Sequence, residues 1–251
     1  MLLHVNVTFA VLLAVLLALA AAVVTVARIG HPRDTLLAGA RAAVQLVAVS
    51  FAIGWVVRAL PLLLCFLVLM YAVAVRAAGR RVVPAPGRSW PWTAVPIGAG
   101  VVPVVLTLLA TGVVPPQGIA LVPITGILIG GALTATVLAG RRALDELASR
   151  WGEVEAGLAL GLTDREARME VARTAAADAL LPGMDQTRTV GLVTLPGAFV
   201  GMLLGGASPW HAGAVQLFVL VALLLVQAVA TAITLELVTR SRLTRPEHPL
   251  G

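Results

Sequence analysis

The sequence predicts an all-α polytopic membrane protein of about seven transmembrane helices, N-terminus outside and C-terminus inside, with a cytoplasmic helix-turn-helix loop. Three observations carry that expectation. The first is composition. Of 251 residues, 59% are hydrophobic and 12% charged, and the mean hydropathy is +0.98. A soluble domain carries about 25% charged residues, so this chain has too little polar surface to cover a water-soluble globule. The second is a series of apolar runs of roughly 20 residues, the length that crosses ~30 Å of hydrocarbon. The third is arginine placement. Threaded through seven spans with the N-terminus outside, every arginine except Arg58 falls in an inner segment, with Arg41 at the edge of the second span. Positive charge is retained on the inner side.

The spans are read at 6–27, 38–57, 59–77, 92–112, 118–140, 189–206 and 212–238. The first could pass for a secretory signal. Its first eight residues carry no Lys or Arg, however, and Arg28 and Arg33 follow the run instead, which is the reverse of a signal peptide. A retained first helix is expected. The second and third spans are divided by a tight turn near Arg58–Pro61. A Pro/Gly-rich inner loop, residues 79–91, precedes the fourth, and Pro115–Pro116 mark an outer turn before the fifth. The sixth is the shortest, and Pro196 and Gly197 interrupt it. Ser208–Pro209 turn the chain into the seventh. No internal repeat divides the chain, so 1–251 reads as a single membrane domain.

The net charge of +6 does not indicate nucleic acid, because it sits in short segments between apolar runs. All 18 basic residues are arginine. A phosphate-binding P-loop needs a lysine, so this chain carries no such motif. The single cysteine, Cys65, allows no intrachain disulfide and no cysteine cluster. The histidines His4, His31, His211 and His248 lie near ends or loops. No pair of metal ligands at helical spacing occurs within a span, so the metal ligands, if any, stay unknown. No catalytic constellation stands out.

Most acidic residues fall in the inner loop, about 141–188. Leu144, Leu147, Trp151, Val154 and Leu158 recur at i+3/i+4 spacing, one apolar stripe of a helix continuing the fifth span. Gly161 stops it, since glycine takes the left-handed conformation of a helix C-terminus. Thr163 and Glu166 form a capping box opening a second helix, and Asp164 and Arg168 add an i,i+4 pair. Pro182–Gly183 are expected to end that helix. The apolar stripe needs cover, either from the chain's own helices or from a partner.

Polar residues within spans are costly. Arg41 and Gln45 share one face of the second span, with Arg41 placed to snorkel to the inner headgroups and Gln45 to face protein or a pathway. Gln216 and Gln227 share a face of the seventh, for which interhelix hydrogen bonding is the expected role. Glu236 is expected to be solvated. Asp185, where the loop re-enters the membrane, reads as an N-terminal cap or gate residue. Gly126-x-x-x-Gly130 and Gly197-x-x-x-Gly201-x-x-x-Gly205 permit close helix approach, within one subunit or between two.

Glu155-Ala156-Gly157 followed by Leu160-Gly161 resembles the Glu-Ala-Ala…Gly loop of ATP-binding-cassette (ABC) permeases. A wider resemblance is more specific. Ala179-Leu180-Leu181-Pro182, Asp185 and Thr189-Val190-Gly191-Leu192-Val193-Thr194-Leu195-Pro196-Gly197 look like the hallmark of the FetB family. Arg41-Ala42-Ala43-Val44-Gln45-Leu46 and Val122-Pro123-Ile124-Thr125-Gly126 match it upstream, so the resemblance runs from about Thr35 to Arg242. One departure is Gly131, where members often have Asn. The family comprises bacterial permeases described as probable iron exporters, similar to plant permeases linked to aluminium tolerance.

The resemblance implies a permease subunit of the bacterial inner membrane, itself no enzyme and binding no cofactor. ATP and magnesium would sit on a separate cytoplasmic ATP-binding subunit, in a 2+2 complex built on a homodimer. The coupling loop would be Glu155, Ala156, Gly157, Leu160, Gly161, Thr163 and Glu166. Pathway or gating candidates are Arg41, Gln45, Pro123, Gly126, Asp185, Gly191, Pro196 and Gly197. The alternative is an ion-coupled secondary transporter with no ATPase, which usually needs ionisable groups at mid-membrane.

Overall fold

The computed structural model describes residues 6–56, 59–83, 89–112 and 118–245. Arg58, Arg88, Pro115, Pro116, His4 and His248 lie outside them. The described chain is nearly all helical, in two units divided near residue 59. The first is a helical hairpin, α1 (Val7–Val26) and α2 (Pro32–Val56). Asn6 caps α1 by accepting the Phe9 amide. The hairpin closes tightly because Gly39 of α2 has no Cβ to collide with Leu17 of α1.

The second unit holds α3 (Leu60–Val82), a 3₁₀ turn (Trp90–Thr93) leading into α4 (Ala94–Ala110), and α5 (Gly118–Ser149). Next come α6 (Trp151–Ala159), α7 (Asp164–Ala177), a 3₁₀ turn (Asp178–Leu180), and α8 (Leu181–Thr189). The chain ends with α9 (Gly197–Leu204) and α10 (Pro209–Thr239). Among the described residues, six helices are long and apolar enough to cross a membrane: α1, α2, α3, α4 with its 3₁₀ turn, α5 and α10.

Small side chains set the packing. Gly131 of α5 lies against Leu223 of α10, and Gly140 against Thr234, so the two helices run in the same direction. Gly126 and Gly140 meet Met70 and Val82 of α3, which therefore runs the same way again. α4 runs opposite. Its first turn is tied to α3 by the Tyr71 hydroxyl donating to the Ala94 carbonyl and by Thr93 donating to Val75. Ala74, Ala78, Ala132, Ala135, Ala139 and Ala230 fill the seams, every one buried. With no hydrophobic drive between helices in lipid, such close backbone approach is what holds a bundle together.

The parallel course of α5 and α10 has a topological consequence. α5 ends where the charged segment begins, and α10 ends beside it, since Arg165 of α7 pairs with Glu236. The chain between them must travel the length of α10 backwards. It does so as α7, the 3₁₀ turn, α8, a loop and α9, not as one helix. The expected span over 189–206 is interrupted as its Pro196 and Gly197 suggest, but the break is longer: residues 190–196 are non-helical and α9 has only 8 residues. The physical cause is local. Gly191 takes φ +82°, its amide bonds to the Thr194 carbonyl, and Pro196 adopts an extended conformation that caps α9.

Two smaller expectations also change. The helix continuing the fifth span breaks at Arg150, whose φ/ψ of −119°/33° separates α5 from α6. Pro182 and Gly183 open α8 instead of ending α7; proline is tolerated in a first turn because its missing N–H has no intrahelical partner there.

The α4–α10 seam is testable at Gly100. A Cβ there would stand 3.0 Å from the Val226 backbone oxygen, which cannot swing away. Gly100→Leu should cost about 1–3 kcal/mol through overpacking and lower the thermal midpoint in detergent. Gly152→Ala, placed in open space on α6, should leave the midpoint equal or higher. Equal midpoints for both variants would show that the seam is not tight.

Candidate functional site

Two regions gather the polar chemistry: the α6–α7 hairpin, and the interrupted segment beside α10.

The hairpin has a structured stem and a bare tip. Leu147 and Val154 are buried, together with Ala167, Val171, Ala172 and Ala176 of α7, so the chain's own helices cover most of the apolar stripe. Gly157 allows α6 and α7 to touch; a Cβ there would lie 3.1 Å from that of Ala167. Gly161, at φ +91°, turns the chain. Thr163 then opens α7 with the expected capping box. Its hydroxyl accepts the Glu166 amide, and Glu166 accepts from the Thr163 N–H at 2.9 Å and its O–H at 2.7 Å. Those donors hold the Glu166 carboxyl below the usual glutamate range. Glu155 accepts from the Trp151 indole N–H at 3.1 Å, while Ala156, Leu158, Leu160 and Leu162 stay exposed, Leu160 at 86%.

Sequence reasoning missed how firmly this hairpin is tied down. Arg165 makes a two-pronged pair with Glu236 of α10, both distances 2.7 Å, and Arg240 engages the same carboxylate. Glu236 is thus an anchor, not a merely solvated group. Arg168 is 6% exposed. It pairs with Asp164 at 2.9 Å, reaches the Ser241 hydroxyl, and stacks 5.4 Å from the Trp151 ring centre. Arg245 crosses to Asp145 of α5. Asp164–Arg168 and Glu236–Arg240 are at helical spacing, but the contacts that tie the hairpin to α10 and the C-terminal segment to α5, Arg165–Glu236, Arg168–Ser241 and Arg245–Asp145, join positions 71 to 100 apart in the chain.

The interrupted segment behaves differently. Gly183 touches the Gln227 carboxamide, and a Cβ there would overlap its oxygen. Seven positions on, Val190 and Gly191 line a crevice of about 190 Å³ with Leu195, Pro196, Phe199, Gly213, Gln216, Leu217 and Leu220. Gln216 and Gln227 are 5% and 6% exposed, and neither carboxamide oxygen has a hydrogen-bond partner. The expected interhelix hydrogen bonds to these oxygens do not form. Asp185 lies inside α8, not at an N-cap, and faces Arg188 at 3.5 Å, with both side chains exposed.

The remaining candidates have other surroundings. Pro123 sits inside α5 and Gly126 packs on Met70. Arg41 and Gln45 are exposed on α2. Gly131 seats Leu223 beside Gln227, in a space an asparagine would fill only by moving that leucine. Gly197 and Gly201 face open space, where an added Cβ would meet no neighbour among the described residues of the second unit. Among the described residues, no three His, Cys, Asp or Glu side chains gather as a metal-holding group.

Long apolar helices, an anchored polar hairpin and a broken segment define a multi-pass membrane protein. The chain belongs to the family described as Uncharacterised protein family (UPF0014), which matches residues 7–243. It is 35% identical to the rice (Oryza sativa subsp. japonica) UPF0014 membrane protein STAR2 over 206 residues, 81% of this chain and 72% of that one. It is 33% identical to the Arabidopsis thaliana protein ALUMINUM SENSITIVE 3 over 66% of this chain and 58% of that protein. It is 29% identical to the Escherichia coli protein named probable iron export permease protein FetB, over 83% and 81% of the two chains. No solved structure matches it.

The capping box sets two expectations. Thr163→Ala should cost about 1 kcal/mol of helix stability, read as faster amide exchange over the first turn of α7. Because the Glu166 carboxyl is lowered in the fold, its contribution is complete above the ordinary glutamate range. It should be lost as pH falls through the lowered folded value. Exchange over that turn should rise correspondingly on acidification, and Glu166→Gln should flatten the pH dependence.

Proposed function

We propose that this chain is the membrane-spanning permease subunit of an ABC transporter that exports a metal ion. The name of the E. coli relative favours iron as cargo. A separate cytoplasmic subunit binds and hydrolyses ATP with magnesium. Two permeases and two ATPases form the complex, in the bacterial inner membrane.

The observation that carries this reading is the hairpin tip. Leu160 and its neighbours are bare and apolar, on a stem rigidly joined to α10 through Arg165–Glu236 and to α5 through Arg245–Asp145. An exposed apolar knob marks a protein docking site. A push on this knob reaches two spanning helices through ion pairs. In this reading Glu155, Ala156, Gly157, Leu160, Gly161, Thr163 and Glu166 form the coupling element. The charged hairpin is cytoplasmic and α1 begins outside. The 178–204 segment supplies the sixth of seven crossings.

One observation favours the ion-coupled alternative: the Asp185–Arg188 pair lies beside the middle of α10, where a secondary transporter needs ionisable groups. ATP dependence separates the two. Export from cells, measured as iron accumulation with and without the gene, should require an intact ATPase subunit that co-purifies with this chain. Gly161→Leu forces a branched side chain into a left-handed turn. It should abolish stimulation of that ATPase while membrane insertion stays normal. Cation movement by the purified chain alone down an ion gradient would overturn the reading.

A further inference from the structure

The register along α10 sets the depth of the interrupted segment. Glu236 lies near one end of the helix, and Trp210, exposed, near the other. They are separated by about 39 Å at 1.5 Å per residue, enough to span the hydrocarbon core and reach both interfaces. Gly183 is level with Gln227, about 13 Å above Glu236, and Val190, seven residues further along, is about 11 Å higher, level with Leu220, which lines the crevice with it. Asp185 and Arg188 lie between these levels, around the middle of the span. Their side chains are 67% and 68% exposed. The adjoining non-helical loop, residues 190–196, is also largely exposed.

Lipid cannot cover such a face. A charge at the bilayer centre is costly, and lipid-exposed irregular backbone does not occur within the hydrocarbon. Water must reach it, and protein must separate that water from lipid. Behind the loop, the buried Gln216 carboxamide oxygen is unpartnered and lines the crevice. Carboxylate and carboxamide oxygens suit hard cations, and a pathway needs contacts weak enough to release its ion.

We propose that Asp185 is the cation-contacting carboxylate of a water-filled pathway at mid-membrane. Arg188 is its resting counter-ion, Gln216 a separate oxygen about 13 Å further along the pathway, and a second copy of this chain the opposite wall. The opposite charges of α8 are self-complementary across a two-fold axis. Gly197 and Gly201 of α9 likewise leave room for close helix contact. The proposal rests on the transport reading but not on ATP as its energy source.

The test is cysteine labelling in membrane vesicles by a charged, membrane-impermeant thiol reagent, on a Cys65→Ser background. Leu160→Cys at the hairpin tip is the accessible control, and Leu16→Cys, exposed on α1, the lipid-facing one. Gln186→Cys and Thr189→Cys should label at rates close to Leu160→Cys. Manganese(II), a redox-stable hard cation, should slow labelling of Gln186→Cys. Asp185→Asn should remove that protection, and Asp185→Glu should retain it. Labelling at the rate of Leu16→Cys, or protection unchanged by Asp185→Asn, would overturn the proposal. Labelling and protection as expected, with transport indifferent to ATP, would instead remove the ABC reading and leave the pathway standing.

Discussion

The close seam between α5 and α10 is the constraint on which the rest of this structure depends. Gly131 and Gly140 bring the backbone of α5 within reach of Leu223 and Thr234, and the direction of that contact makes the helices parallel. Parallel neighbours joined by one connection force the connection to return along the bundle. The polar hairpin and the interrupted segment both lie on that return path. The polar hairpin sits at one end, the charged α8 beside the middle of α10, and the glycine-faced α9 towards the other end.

The return path is built from pieces that no continuous transmembrane helix could combine. A single apolar helix would satisfy its backbone internally and present only hydrocarbon. Breaking it at Gly191 and Pro196 exposes peptide groups and leaves Asp185, Gln186 and Arg188 exposed beside the middle of α10. The cost is contained by packing on one side only. Gly183 fits against Gln227 and the loop lies over Gln216, while the outward side is left for water and protein.

The hairpin and the broken segment are mechanically continuous. α7 leads through one 3₁₀ turn into α8, so a displacement of the hairpin tip has two routes to the interior: along the chain into α8, and through Arg165–Glu236 into α10. The buried Arg168, held between Asp164, Ser241 and Trp151, keeps the hairpin and the end of α10 together as one body. Breaking such a buried ionic cluster by removing one partner leaves an uncompensated charge, which favours motion of the whole hairpin over its local rearrangement.

Much was legible in the sequence where the determinant is local. Apolar length defined the spanning helices, Gly161 and the Thr163–Glu166 box marked the hairpin turn, and Pro196–Gly197 marked an interruption. Helix capping and left-handed turns depend on residues within one turn of each other, so spacing alone reveals them. Pairings such as Arg165–Glu236 and Arg245–Asp145 were not legible, because charge says that a partner is favourable but not which one lies within reach. The sequence by itself thus determined a multi-helix membrane protein with a capped polar hairpin. Only the tertiary structure decided that the segment after it is interrupted over residues 190–196 and runs beside α10, with Asp185 and Arg188 near the middle of that helix, since position along the bundle comes from register against α10.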